Sequence, residues 1–280
     1  MSYKTIVALV ETPKSAETLI PAACEIAKEF GAHFTCVKPV VEYEIPNPVS
    51  SYFTQSILEE FRANATRDQQ KIKSTFDKYT ASQDFVSEFR VENLTQKQKI
   101  RQLMIDTFGA DLVLMALPTW RQETSVGVEP IHKLVMGSGR PVLVIPDGYK
   151  FDKIPQNILV GWRASPEASS AVHSALGFIK KAQKTTIMTV NKKKHSYSQS
   201  ITDGREVAAM LDRHGATTKV WHSGRSYKSA GKQIANEAKI GGHDLIVIGV
   251  GNHGIGYNLT HSDGAKTVLK NTTVPVLLSA

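Results

Sequence analysis

Short apolar runs alternate with helical patterns along the whole chain, and the alternation occurs twice. Residues 6–37 read IVALVETPKSAETLIPAACEIAKEFGAHFTCV, and residues 158–190 read ILVGWRASPEASSAVHSALGFIKKAQKTTIMTV. In each, a β-branched run leads into a polar turn with Pro and Ser, then an alanine-rich helical stretch, then a second apolar run. Further on, DLVLMALP (111–118) is answered by DLIVIGVG (244–251), and RPVLVIP (140–146) by VPVLLSA (274–280). DFVSEFRV (84–91) and ATTKVWHS (216–223) alternate as half-buried strands do. TQKQKIRQLMIDTFGA (95–110) and YKSAGKQIANEAKIGG (227–242) read as helices that stop at a small residue or glycine.

Each half is therefore predicted to run β-α-β-α-β-α-β-α-β. Strands that alternate with helices require a parallel sheet covered on both faces, and the apolar cores IVAL, DLVLM, ILVG and LIVIG suit burial on both sides. The expected fold is α/β and Rossmann-like: two tandem repeats, each a five-stranded parallel sheet with helices on both faces. The repeats are placed at 1–148 and 154–280, with a short linker at about 147–155. The first half is the longer one. Its extra length follows the IPNP punctuation, where Ile57, Phe61, Ala65, Ile72 and Phe76 fall near one face of a long amphipathic helix. That stripe reads as core packing. The counterpart, about Ser198 to His214, is shorter.

Composition narrows the class. Hydrophobic residues make up 41% of 280, enough for a core in each half. No apolar run approaches the ~20 residues of a bilayer span. The opening MSYKTIVALVETPKSAE lacks the marks of an export signal, so the expected location is the cytoplasm, with no membrane partner. Cys24 and Cys36 are too few for a disulfide framework and read as small buried side chains. The net charge of +8 is scattered apart from NKKKH and KKAQK, and neither stretch is interleaved with aromatics, which disfavours nucleic acid. Metal-ligand spacings, a G-x-S-x-G elbow, a Walker loop and the Rossmann glycine fingerprint after either first strand are all absent from the sequence. No catalytic residue and no metal ligand can be named.

Candidate chemistry sits at the carboxyl ends of the strands, where sheets of this kind bind ligands between the first and fourth strands of a repeat. In the second half these segments are GWRASP (161–166) and the loop after DLIVIGV. That loop carries Gly251 and Gly254, then Gly264 and Ala265 ahead of a helix at about 264–271. Glycines allow close backbone approach, and free N–H groups at a helix N-terminus suit phosphate. Ala265 offers its backbone N–H but no hydroxyl. Thr260 and Ser262 are candidates to replace that hydroxyl, His261 is a weaker contact, and Asp263 reads as the N-cap.

With these residues in view, the chain resembles a tandem universal stress protein over essentially its full length. Nucleotide-binding members share G-x2-G-x9-G-[ST] after the fourth strand. Here Gly251, Gly254 and Gly264 match it, Ala265 stands in place of Ser or Thr, and His253 fills a slot often held by His or Arg. The resemblance implies an adenine nucleotide alpha hydrolase-like fold whose halves pair through their last strands, as an intramolecular pseudo-dimer. It implies ATP or AMP as the ligand, with Mg2+ accompanying ATP, and slow ATP hydrolysis at most. It places Gly161 near the base and the Val190 backbone near adenine, and it puts Arg163 where binders carry an acid. Arg163 would either pair with phosphate or turn outward. Either Gly249 or Gly251 ends the fourth strand, the former with a longer loop. The first half keeps an acid, Glu11, but only the lone Gly127 early in its loop. It is expected to be a non-binding copy, with Trp120 and Arg121 closing the crevice and Gly137 and Gly139 ending a helix. The alternative function is an interaction module that has lost nucleotide binding or takes another small ligand. A protein partner, unidentified, is expected, and the chain would be a pseudo-dimeric monomer or a homodimer.

Overall fold

The computed structural model describes residues 2–42, 55–95, 99–117, 129–191, 204–224, 229–251 and 264–280. The first half runs β1 (Thr5–Leu9), α1 (Pro13–Phe30), β2 (His33–Glu42), α2 (Gln55–Thr80), β3 (Ser87–Thr95), α3 (Lys99–Thr107), β4 (Leu112–Leu117), α4 (Glu129–Ser138) and β5 (Val142–Pro146). The second runs β6 (Asn157–Gly161), α5 (Pro166–Ser174), α6 (Leu176–Ile179), β7 (Lys184–Asn191), α7 (Arg205–Arg213), β8 (Thr218–Gly224), α8 (Ala230–Ile240), β9 (Leu245–Gly249), α9 (Gly264–Asn271) and β10 (Val276–Ser279). The alanine-rich helix of the second half is broken at Ala175, so it forms α5 and the single turn α6.

All ten strands form one sheet, in the order β3-β2-β1-β4-β5-β10-β9-β6-β7-β8. Pairing is parallel within each half and antiparallel at the seam, where Val276, Leu277 and Leu278 face Val144, Leu143 and Val142. The two halves thus join through their last strands. Helices α1, α2, α5, α6 and α7 cover one face, around a core that includes Ile6, Leu19, Phe34, Phe178 and Leu277. Helices α3, α4, α8 and α9 cover the other, around Val113, Leu134, Ile246, Val268 and Val276.

Local chemistry explains the ends of these elements. At the start of α1, the Thr12 side chain accepts from the Ser15 N–H while Ser15 returns a bond to the Thr12 backbone, and Pro13 opens the helix. Gly31 ends it in the left-handed region, at φ 57°. A matched pair of clamps holds the amino edge of the sheet. The Asp111 carboxylate accepts the Lys4 and Thr5 N–H groups at 2.7 and 3.0 Å. Asp244 does the same for Gln156 and Asn157, at 2.8 Å each. Each clamp ties the start of a fourth strand to the start of a first strand.

Contacts between the halves extend beyond the sheet. The Tyr3 ring stands 5.0 Å from Phe30 and 5.1 Å from Phe178, and its hydroxyl donates to the Ser174 carbonyl at 2.7 Å. Gly177 is small for this reason: a Cβ there would lie 2.8 Å from the Tyr3 ring. The segment between β5 and β6 buries Phe151 and Ile154.

One expectation is corrected. Ile72 and Phe76 of the α2 stripe are buried, but Phe61 is 56% exposed. A helix of 26 residues is about 39 Å long, longer than the strands of 10 and 9 residues on which it packs. Its amino-terminal turns therefore reach past the core that its carboxyl-terminal turns cover. Gly139 ends α4 as expected, at φ 62°. Gly137 instead lies in the last turn of α4, where a Cβ would stand 2.6 Å from Met104 Cε.

Candidate functional site

Strand order reverses between β6 and β9 in the second half, so the chain leaves the two strands toward opposite faces and opens a crevice at their carboxyl ends. Gly161 ends β6, beside Ile248 of β9. A Cβ on Gly161 would meet Ile248 Cγ2 at 2.8 Å and Ile234 Cδ1 of α8 at 2.9 Å, so close helix packing by itself requires glycine here.

Gly249, rather than Gly251, ends β9. Its missing side chain would point into the first turn of α5, 2.4 Å from the Glu167 carbonyl carbon and 2.5 Å from the Ala168 nitrogen. Gly251 follows two residues on and is partly buried, after Val250 has donated to the Ser279 carbonyl at 2.8 Å. Gly264 is the first residue of α9 and is exposed, with open space around it. Ala265 is partly buried, and its methyl packs against the apolar core on this face of the sheet. That contact is a physical reason for a methyl where a hydroxyl was expected. His253 and Gly254 lie outside the described residues, as do Thr260, His261, Ser262 and Asp263.

Arg163 is engaged. Its Nη2 donates to the Glu167 carboxylate one helical turn on, in the first turn of α5. Burial alone would raise the Glu167 pKa. Hydrogen bonds from its own backbone N–H, from Arg163 and from Ser165, with the Arg163 charge, outweigh that and hold it below the usual carboxylate range. The crevice edge thus carries an ionised acid after all, four residues from where the pattern looked for one.

The far wall was not read from the sequence. The Thr189 hydroxyl meets His222 Nδ1 at 2.6 Å, and Gln233 Nε2 donates to the buried Ser223 hydroxyl at 2.9 Å, which fixes α8 to the end of β8. Gly231, in the first turn of α8, lies against the first turn of α9. A glycine two residues after Ser229 was the signal that could have shown this approach.

The first half inverts the charges. The Val10 N–H bonds the Val37 carbonyl as that of Trp162 bonds Met188, so Glu11 stands where Arg163 does and Lys38 where Thr189 does. Glu11 is exposed, while Lys38 is 7% exposed and donates through Nζ to the Glu11 carbonyl at 2.6 Å. An ammonium group thus sits on β2 beside the carboxyl end of β1, where the second half has a neutral hydroxyl. Trp120, Arg121 and Gly127 lie outside the described residues.

No protein-family model matches the sequence, and no curated protein matches it. Solved structures do. A universal stress protein from Archaeoglobus fulgidus DSM 4304 superposes with a TM-score of 0.73 at 12% identity, over 98% of this chain and 95% of that one. The chain has the tandem universal stress protein fold. A candidate universal stress protein from Pseudomonas aeruginosa UCBPP-PA14 (TM-score 0.59, 13% identity, 99% of this chain and 93% of that one) agrees. So does a protein of unknown function from Pseudomonas aeruginosa PAO1 (TM-score 0.58, 13% identity, 99% and 92%). No described helix is long and apolar enough to cross a membrane, and the described residues hold no cluster of three or more metal-ligating side chains.

Proposed function

We propose that this chain acts as a cytoplasmic universal stress protein that takes an adenine nucleotide, ATP or AMP, in its second repeat and signals occupancy to a protein partner. One observation carries the reading. The β9 strand ends on Gly249 at the order reversal, and the α9 N-terminus begins at Gly264 beside the same crevice, with no acidic residue in its first turn. Free first-turn amides there suit phosphate oxygens. Gly161, Arg163 and Val190 would line the nucleoside end. Gly249, Gly251, His253, Gly254, Gly264 and Ala265 would form the phosphate end, with Mg2+ accompanying ATP.

The residues fit a phosphate better than they fit rapid hydrolysis. General base catalysis needs a titratable group poised over an attacking water. The carboxylate of Glu167, at the crevice edge, is held ionised by its own backbone N–H, with Arg163 and Ser165, rather than raised toward neutrality. The role is therefore binding, with slow turnover at most. The first repeat, residues 1–148, would be structural, since the buried Lys38 sits on its second strand beside the carboxyl end of its first. The second, residues 154–280, would carry the ligand.

The test is direct. Purified protein is denatured and the supernatant analysed for released nucleotide, and the melting temperature is followed in millimolar ATP and AMP. Released nucleotide, or a melting temperature that rises with ligand concentration, supports the reading. Neither result leaves an interaction module without a nucleotide.

A further inference from the structure

The two repeats share a fold but not a charge. Residues 1–148 contain 16 Lys and Arg against 18 Asp and Glu, whereas residues 154–280 contain 16 against 7. The cationic excess of the chain therefore belongs to the second repeat.

Part of that excess, scattered along the sequence, comes together in space. Strands β9, β6, β7 and β8 are neighbours in that order, so the segments that enter them lie side by side at the amino edge of the repeat. Lys239 precedes β9, Lys153 precedes β6, Lys180 and Lys184 bound the turn into β7, and Arg213 precedes β8. All five are exposed, and none forms an ion pair among the described residues. Neighbouring strands lie about 4.8 Å apart, so the four entry segments make a row about 14 Å long. The carboxylates close by are largely engaged. Asp244 holds the Gln156 and Asn157 N–H groups, Asp212 accepts from the Thr218 hydroxyl, and Glu237 lies near Lys219. Asp152 is exposed.

Helices α6, α7 and α8 end at this edge, and helix C-termini favour cations. The first repeat shows that this alone does not require the row. Its α1, α2 and α3 end at the equivalent places. The His33 N–H bonds the Lys4 carbonyl as the Lys184 N–H bonds the Gln156 carbonyl, so His33 stands where Lys184 does. Asp106 stands five residues before the Asp111 clamp, where Lys239 precedes Asp244.

We propose that the amino edge of the second repeat docks a nucleic-acid duplex through its phosphate backbone, without reading bases. A linear row suits a linear polyanion, and about 14 Å corresponds to about four phosphates along one duplex strand. A lipid surface would call for an apolar face beside the cations. Ile240 is the one large apolar side chain exposed on this edge among the described residues. The surface lies at the opposite end of the strands from the crevice, so it stands apart from the nucleotide reading.

Fluorescence anisotropy of labelled DNA and RNA duplexes of about 20 base pairs tests it with the full chain, between about 50 and 200 mM salt. The proteins are wild type, Lys180→Glu/Lys184→Glu, Lys180→Gln/Lys184→Gln and Lys28→Glu/Lys78→Glu. The last pair makes the same charge change at the amino edge of the first repeat. That edge is on the other side of the sheet, because the seam is antiparallel. Circular dichroism melting verifies folding, and the Gln variant carries the test if the Glu variant unfolds. The expected result is duplex binding, to either nucleic acid, that falls with salt. The variants at 180 and 184 should weaken it by about tenfold or more and flatten the logarithmic salt slope by about 2, while the variant at 28 and 78 stays within about twofold of wild type. Equal weakening by the two Glu variants would mean that net charge alone holds the duplex, which overturns the edge. Binding to phosphatidylserine vesicles without duplex binding overturns the nucleic-acid reading. Binding to neither at about 50 mM salt overturns the docking surface.

Discussion

Arg163 reaches along one turn of chain to the Glu167 carboxylate, and Glu167 in turn caps the close approach of α5 to Gly249. The pair links the end of β6 to the end of β9 across the crevice. Its Arg163 side chain is 65% exposed, so the bond itself contributes little, about 0–1 kcal/mol. Replacing Arg163 with Ala should shift the melting temperature only slightly while raising the Glu167 pKa toward an ordinary carboxylate. Carboxyl-detected NMR titration measures this. An unchanged Glu167 titration would show that the pair is not formed in solution.

Gly249 and Gly264 separate packing from binding. A Cβ at Gly249 collides with α5 backbone, which cannot swing aside as a side-chain tip can. Gly249→Ala should destabilise by about 1–3 kcal/mol, read as a lower urea midpoint. A Cβ at Gly264 meets nothing, so Gly264→Ala should leave stability within about 1 kcal/mol of wild type. Under the nucleotide reading it should nevertheless weaken ATP binding, because the methyl intrudes on the approach to the α9 amides. A destabilised Gly264→Ala protein would contradict the open space assigned to that position.

The aspartate clamps give a symmetric pair of tests. Asp244 accepts two backbone N–H groups at the start of β6, and Asp111 two at the start of β1. Bonds to a charged acceptor contribute about 1.5–3 kcal/mol each, and the orphaned amides regain some water. Asp244→Ala and Asp111→Ala should each cost about 2–4 kcal/mol by denaturant unfolding, with the Asn variants costing less. Equal stability of wild type and either Ala variant would remove the clamp from the account.

Much of this was legible along the chain. β1, β4, β6 and β9 are apolar without alternation because helices cover both faces of the sheet, and the sequence of each is followed by glycine- or proline-marked turns. The duplication was visible because Asp111 and Asp244 precede matching runs, although nothing in a single sequence says that both clamp a first strand. The α2 stripe was half misread: periodicity finds a face, but the sheet beneath decides how much of it is covered, and Phe61 lies beyond that cover. Arg163 looked like a lost acid. The i,i+4 spacing to Glu167 was present, but the pairing depends on where α5 lands. Gly231 carries no signal of its own, because its meaning lies in a second helix more than thirty residues away in the chain.

The two cysteines make a chemical prediction. Burial pushes both thiols up to about 12, with smaller contributions from Glu25 at Cys24 and from Cys24 at Cys36. The thiolate is the reactive form, so at pH 8 it is nearly absent in the folded protein. Iodoacetamide should leave both unlabelled in native buffer and label both in urea, as intact mass shows. Rapid native labelling of either would mean that α1 or β2 opens locally, since Cys36 lies in the sheet and Cys24 in the helix above it.

His243 sets an acid limit on stability. It is 8% exposed, Nδ1 has no hydrogen-bond partner, and its ring lies where a Gly241 side chain would be. Burial is the main cause that lowers its pKa, with the Lys184 charge acting in the same direction. The Glu237 backbone bond and the Asp244 charge act the other way without cancelling it. The unfolded chain takes up this proton near the ordinary imidazole pKa of about 6.5, and the folded chain only at lower pH. Between those two values the unfolded state holds more protons, so stability rises with pH there and falls as the solution is acidified below about 6.5. The loss stops once the folded pKa is passed. Urea midpoints measured from pH 7.5 down to pH 5 should decline in wild type and decline less in His243→Gln, which carries no proton to take up. Parallel slopes in the two proteins would show that His243 is protonated as readily in the fold as out of it.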